Sequence, residues 1–173
     1  MDAGLTALLG AAVGSAATLG AAIVSGRAQT RSQHAQWARQ HRRDAYVRYL
    51  GALHDRDIAM DAVIASLRPD EPDHDAVEAL TDRFVSLARE VHRACEIVLL
   101  EGPAAVTDAA EHVTRASGAL SHVVQRAAAY ARAGDTVRKT EELARAAERE
   151  RALYRTVKDF RLTARRTLDR VGG

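Results

Sequence analysis

The side chains that could carry chemistry are few in this chain, and they are not grouped. The pairs Asp108–His112 and His92–Glu96 are each four residues apart, so each pair shares one face of a helix. A di-iron bundle needs a Glu-x-x-His motif on each of two core-facing helices and two further carboxylates. The one such motif, Glu71–His74, lies in a proline-bearing stretch that cannot line a core. We therefore predict no metal site.

Enzyme motifs are also missing from the sequence. There is no glycine-rich phosphate loop, no GxSxG and no HExxH. Cys95 is the single cysteine, which excludes an intrachain disulfide, and its place beside an apolar helical stripe predicts a half-buried structural thiol. A net charge of +2 gives no general case for nucleic acid. We predict no catalytic residues, no cofactor, no small-molecule substrate and no nucleic-acid partner.

Residues 3–26 form a stretch of 24 residues without charge. This length suits a transmembrane helix, which needs about 20 mainly apolar residues. Thirteen of the 24 are Ala or Gly and seven are strongly apolar, and those seven contribute only about −2 to −4 kcal/mol to insertion. A signal peptide would need a basic start, which Asp2 does not provide. We predict a marginal transmembrane helix; the alternative is a buried alanine-rich helix.

Positive charge follows this segment and sets its predicted orientation. The positive-inside rule places the N-terminus outside and the bulk of the chain in the cytoplasm, as a single-pass protein of the cell membrane. Basic residues beside a membrane gain energy from anionic lipid. Our lipid-contact candidates are Arg27, Arg31, Arg39, Arg42, Arg43, Arg161, Arg165, Arg166 and Arg170; the alternative is that the juxtamembrane charges fix topology alone.

Gly10 and Gly14 form a GxxxG motif within the uncharged segment. Small residues at this spacing allow two transmembrane helices to approach closely and to pair. An alanine- and glycine-rich segment contains such pairs by composition alone, so both readings stay open.

The remainder of the chain predicts an all-α fold. Alanine and arginine are frequent, aromatic residues make up 4% and there are three prolines, which favours helices over strands. Residues 27–43 form a basic juxtamembrane helical linker, and 44–173 form a bundle with helices at about 44–67, 75–101, 103–133 and 135–171. Asp75 with Glu78 predicts a capping box, and Pro103 is expected at the first helical position. Gly134 predicts a helix end; the alternative is that the third and fourth helices are fused.

Apolar residues recur at spacings of three and four in each predicted helix, as packing in a bundle requires. The first stripe contains Tyr46, Leu50, Leu53, Asp57, Met60, Ile64 and Leu67, and the third includes Ala109 and Ala116. Short connections between long helices predict an antiparallel up-down bundle. The fourth helix would then end beside the start of the first, which would bring Arg161, Arg165, Arg166 and Arg170 close to Arg39, Arg42 and Arg43 as one basic collar.

The order of segments, with an Ala/Gly-rich helix followed by RAQTRSQHAQWARQHRRDAYVRYL, resembles single-span, membrane-anchored helical proteins of unknown function from actinobacteria. The resemblance covers residues 1 to 53 and implies no activity. Together these features predict a non-enzymatic, membrane-anchored scaffold or protein-interaction module that associates with itself or with a protein partner. The alternatives are a soluble helical partner-binding module, in which residues 3–26 pack as a buried helix, and a metal-binding bundle.

Overall fold

The computed structural model describes the backbone of residues 3–170 and the side chains of residues 33, 34 and 36–169. This part of the chain consists of four helices and has no strand. They are α1 (Ala3–Leu67), α2 (His74–Glu101), α3 (Ala104–Arg132) and α4 (Thr136–Arg170). The chain divides into two compact units, Met1–Gln40 and His41–Gly173, of which the second is a helical bundle. The all-helical prediction is confirmed.

Helix α1 has no break at either predicted boundary, near residue 26 or near residue 43. Within the part of the chain whose side chains are described, no helix is long and apolar enough to cross a bilayer. The side chains of the predicted span 3–26, with Gly10 and Gly14, lie outside the described ones. The transmembrane helix and its pairing motif therefore stay predictions.

Contacts within the second unit define its up-down topology. The Tyr154 hydroxyl of α4 donates to Asp57 of α1 at 2.9 Å, and the Phe160 ring lies 5.2 Å from the ring of Tyr49. Because residue numbers rise along α4 as they fall along α1, these two helices are antiparallel. Helix α3 runs parallel to α1, since Tyr49 donates to the Ala110 carbonyl and Arg56 to that of Ser117.

The helix ends follow local chemistry that differs in part from the prediction. Asp73, rather than Asp75, caps α2: its carboxylate accepts from the backbone N–H groups of Asp75 and Ala76, so α2 begins at His74. Pro103 is the N-cap of α3 instead of its first helical residue. Gly134 has φ +70°, a left-handed conformation that ends α3 and excludes a fused third and fourth helix.

The core is wider than the predicted stripes. In α1 the burial of Tyr46, Leu53, Met60 and Leu67 is confirmed, but Leu50 and Ile64 are only partly buried. The fully buried neighbours that the stripe omitted are Tyr49 and Val63. In α3 the structure buries Ala110 and Ser117 in place of the predicted Ala109 and Ala116, a shift of one residue. A helix that contacts three others buries more than a two-position heptad seam, which explains these differences.

Candidate interaction surfaces

One end of the bundle, which we call the basic end, carries Arg42, Arg43, Arg161, Arg165 and Arg166. The Phe160 ring on α4 lies 6.0 Å from the ring of Tyr46 on α1. This contact brings the last turns of α4 to the same level as the first turns of α1 within the second unit. All but Arg42 are exposed.

The arginines of the basic end differ in how they are held. Arg42 is half-buried, and its Nε donates to the Glu101 carbonyl at 2.8 Å, so it closes the carboxyl end of α2. Arg165 lies 3.8 Å from Asp169, but both side chains are more than 70% exposed, so this pair contributes little. Arg161 and Arg166 have no ion-pair partner within 4 Å among the described residues.

The other predicted lipid-contact residues lie outside the second unit or have side chains that the structure does not describe. Arg39 is half-buried and belongs to the first unit. Arg27, Arg31 and Arg170 lie outside the residues whose side chains are described. The predicted collar of arginines is therefore placed only for its members in the second unit.

A groove of about 130 Å³ runs between α1 and α4. Its lining combines apolar and basic side chains and includes Tyr154 and Asp57, which are joined by a hydrogen bond. The lining residues are Leu50, Leu53, His54, Asp57, Leu153, Tyr154, Val157, Lys158 and Arg161. Sites for drug-sized ligands occupy about 300–1,000 Å³. This groove is too small for such a ligand and suits one apolar side chain with an acidic neighbour.

The hydroxyl of Tyr154 acts as a fixed donor in this groove. Burial, the hydrogen bond to Asp57 and the negative charge of Asp57, Glu150 and Asp61 all raise the pKa of Tyr154 above its ordinary value of 10.0. The hydroxyl therefore stays protonated, and the Asp57 carboxylate is held in place between α1 and α4. This explains the polar residue in the apolar stripe of α1.

Polar side chains in the core form a second group, which the sequence stripes missed. Arg56, Lys139 and Glu142 are each at most 5% exposed. Glu142 bridges α3 and α4 through Arg126 at 2.9 Å and also accepts from Arg145 at 2.6 Å, and these guanidinium groups lower its pKa. The sequence did contain a signal for the burial of Glu142 and Lys139. Lys139, Glu142 and the buried Ala146 are spaced by three and four residues, so they share one face of α4.

The side chains first considered for chemistry form no cluster among the described residues. His92 Nε2 lies 3.5 Å from Glu96, and both are exposed. In the described part of the chain, no three His, Cys, Asp or Glu side chains come together as a metal site. Cys95 is 3% exposed, so it is more deeply buried than predicted. Its Sγ accepts a hydrogen bond from the Thr114 hydroxyl at 3.3 Å. The thiol is thus part of the contact between α2 and α3.

Comparison with known proteins gave no relative: no protein-family model, no curated protein and no solved structure matched this chain.

Proposed function

We propose that this protein is a membrane-anchored, non-enzymatic helical module that scaffolds or binds protein partners, including a second copy of itself. The observation that supports anchoring is the basic end of the bundle. Arg161 and Arg166 on α4 share this end with Arg43 on α1, the helix that also contains the uncharged segment. Basic residues concentrated at one end favour an orientation towards anionic lipid.

Cell fractionation with and without residues 1–26 tests the anchor. We expect the full chain in the membrane fraction, resistant to extraction with carbonate, and the shortened chain in the supernatant. A full chain that appears in the supernatant would contradict the anchored module and favour the soluble alternative.

Contact between the basic end and lipid is tested with the chain that lacks residues 1–26. In one variant, glutamine replaces three arginines at once: Arg161, Arg165 and Arg166. This variant should bind phosphatidylserine vesicles more weakly by roughly tenfold or more, because each positive charge near the surface contributes to the attraction. The matched control replaces three exposed arginines of the middle of α4, Arg149, Arg151 and Arg155, with Gln. Equal loss in both variants would show a general charge effect and contradict a directed contact.

Pairing of the proposed anchor is tested by Gly10→Ile with Gly14→Ile in the full chain. These changes should reduce the amount of dimer that is trapped in membranes by a cross-linker other than a disulfide, since they prevent the close approach of two helices. Unchanged cross-linking would remove pairing at this motif from the proposal.

The second candidate function is a soluble partner-binding module in which residues 3–26 pack against a partner protein. The groove between α1 and α4 favours partner binding in either case, because a pocket that fits one side chain is how amphipathic helices are anchored. A soluble full chain that elutes as a larger complex in gel filtration would support this candidate.

A further inference from the structure

Arg56 lies in the middle of the bundle and is 5% exposed. Its guanidinium stacks over the Phe84 ring, 4.6 Å from the ring centre, and its Nη2 donates to the Ser117 carbonyl at 3.3 Å and to the Ser121 hydroxyl. No carboxylate of the described residues lies within 4 Å of it. Burial lowers the pKa of Arg56 to about 10, so the group is still charged at neutral pH.

The Nε atom of this guanidinium and the Oγ atom of Ser117 are both buried and have no hydrogen-bond partner. Both residues line a cavity of about 10 Å³ to which all four helices contribute, with Phe84 from α2 and Leu153 from α4. Buried polar atoms are almost always hydrogen-bonded, to protein or to ordered water. Two unpartnered polar atoms, on two residues that line the same cavity, therefore point to a ligand in that cavity.

We propose that this cavity binds one water molecule, which accepts a hydrogen bond from Arg56 Nε and exchanges one with the Ser117 hydroxyl. A buried water needs about 10–15 Å³ and two to four polar partners. The cavity volume meets the lower limit, Arg56 and Ser117 supply two partners, and the Asp57 side chain on the cavity wall can supply a third.

A small anion such as chloride is the competing ligand, because the buried guanidinium has no carboxylate beside it. Two observations favour water. Chloride is larger than water, and the space is already at the lower limit for water. Asp57 is also one of the residues that line the cavity, and its negative charge disfavours an anion nearby.

Access to the cavity is provided by the groove between α1 and α4. The groove and the cavity share three lining residues, Leu53, Asp57 and Leu153. The site is thus an internal extension of the groove, and it does not depend on the proposed membrane anchor.

A crystal structure of the full chain, at a resolution where ordered water is visible, tests the site directly. We expect one peak within hydrogen-bond distance of Arg56 Nε and Ser117 Oγ, and no anomalous signal there after the crystal is soaked in sodium bromide. A cavity without density, or a bromide peak in it, would overturn the proposal.

Solution NMR gives a second measurement that needs no crystal. The Nε–H signal of Arg56, assigned by its loss in Arg56→Lys, should show a cross-peak with long-lived water. Ser117→Ala removes one partner of that water and should reduce the cross-peak at least twofold, whereas the control Ser66→Ala on α1 should leave it unchanged. An Nε–H without a water cross-peak in the unmodified chain would refute the site.

Discussion

At the scale of single residues, Arg56 shows how a charge can be held in the core without a carboxylate partner. Its charge is stabilised by a carbonyl, a hydroxyl and an aromatic face. These contacts fix Arg56 of α1 opposite Ser117 of α3, and a polar contact in a core restricts the register of two helices. Arg56 therefore positions α1 against α3, in addition to contacting the proposed water molecule.

We expect Arg56→Met to leave the free energy of unfolding unchanged or to raise it by about 1–4 kcal/mol, because an apolar side chain of similar length avoids desolvation of the charge. Arg56→Ala should lower it by roughly 2–5 kcal/mol, since it also leaves a cavity. Urea denaturation followed by circular dichroism measures both. As a control, Arg155→Met at an exposed position should change stability by less than about 0.5 kcal/mol.

Glu142 makes a pH-dependent contribution to stability whose sign can be worked out. Arg126 and Arg145 lower its pKa below the ordinary value of 4.5. The charged form is thus stabilised by folding, so the contribution is present above pH 4.5 and is lost as the pH falls through the lower folded-state pKa. Glu142→Gln should flatten the acid limb of a plot of unfolding midpoint against pH.

The matched control for Glu142 is its neighbour Glu141, which is exposed and lies 3.7 Å from Arg145. Glu141→Gln should leave the acid limb as it is in the unmodified chain, because an exposed pair is weak. If both variants gave the same profile, the bridge between α3 and α4 would not be the source of the acid dependence.

At the scale of helices, two glycines have opposite roles. Gly134 adopts φ +70°, whereas Gly118 lies inside α3 with open space where a Cβ would be. Gly134→Ala should therefore destabilise the protein by about 1 kcal/mol, while Gly118→Ala should stabilise it by about 0.4–1 kcal/mol. Thermal unfolding of the two variants side by side measures the difference; shifts in the same direction would contradict it.

The four helices of the bundle could be predicted from the sequence because glycine, proline and periodic apolar residues mark their ends and faces. The cap of α2 could not be settled in this way. Asp73 and Asp75 are both acceptable caps by residue type, and only the backbone shows that Asp73 accepts from two N–H groups. Burial of Arg56 was missed for a similar reason, since its partners Ser117 and Ser121 are 61 and 65 residues away in sequence.

At the scale of the whole molecule, the second unit holds the complete described core. We expect residues 41–173, expressed alone, to unfold cooperatively with the same denaturant midpoint as the full chain, because all the buried contacts described lie within them. Chemical denaturation of both proteins measures this. A midpoint that falls when residues 1–40 are removed would show that the first unit stabilises the bundle.

The up-down topology could also be predicted, because short connections between long helices leave few other arrangements. The basic end of the second unit follows from that topology. The groove and the polar core could not be foreseen in this way. They depend on which side chains of different helices come into contact, as Tyr154 and Asp57 do. Composition and periodicity do not predict such contacts.

The antiparallel contact between α1 and α4 also has a consequence for synthesis of the chain. Asp57 and Tyr154 are 97 residues apart. Helix α1 can therefore pack against α4 only after the ribosome has added all of these residues. At a synthesis rate of about 5–20 residues per second, this takes roughly 5–20 s. During that interval the uncharged segment has already emerged while the bundle is still open. The order of translation thus makes residues 3–26 available to other molecules before the bundle can fold.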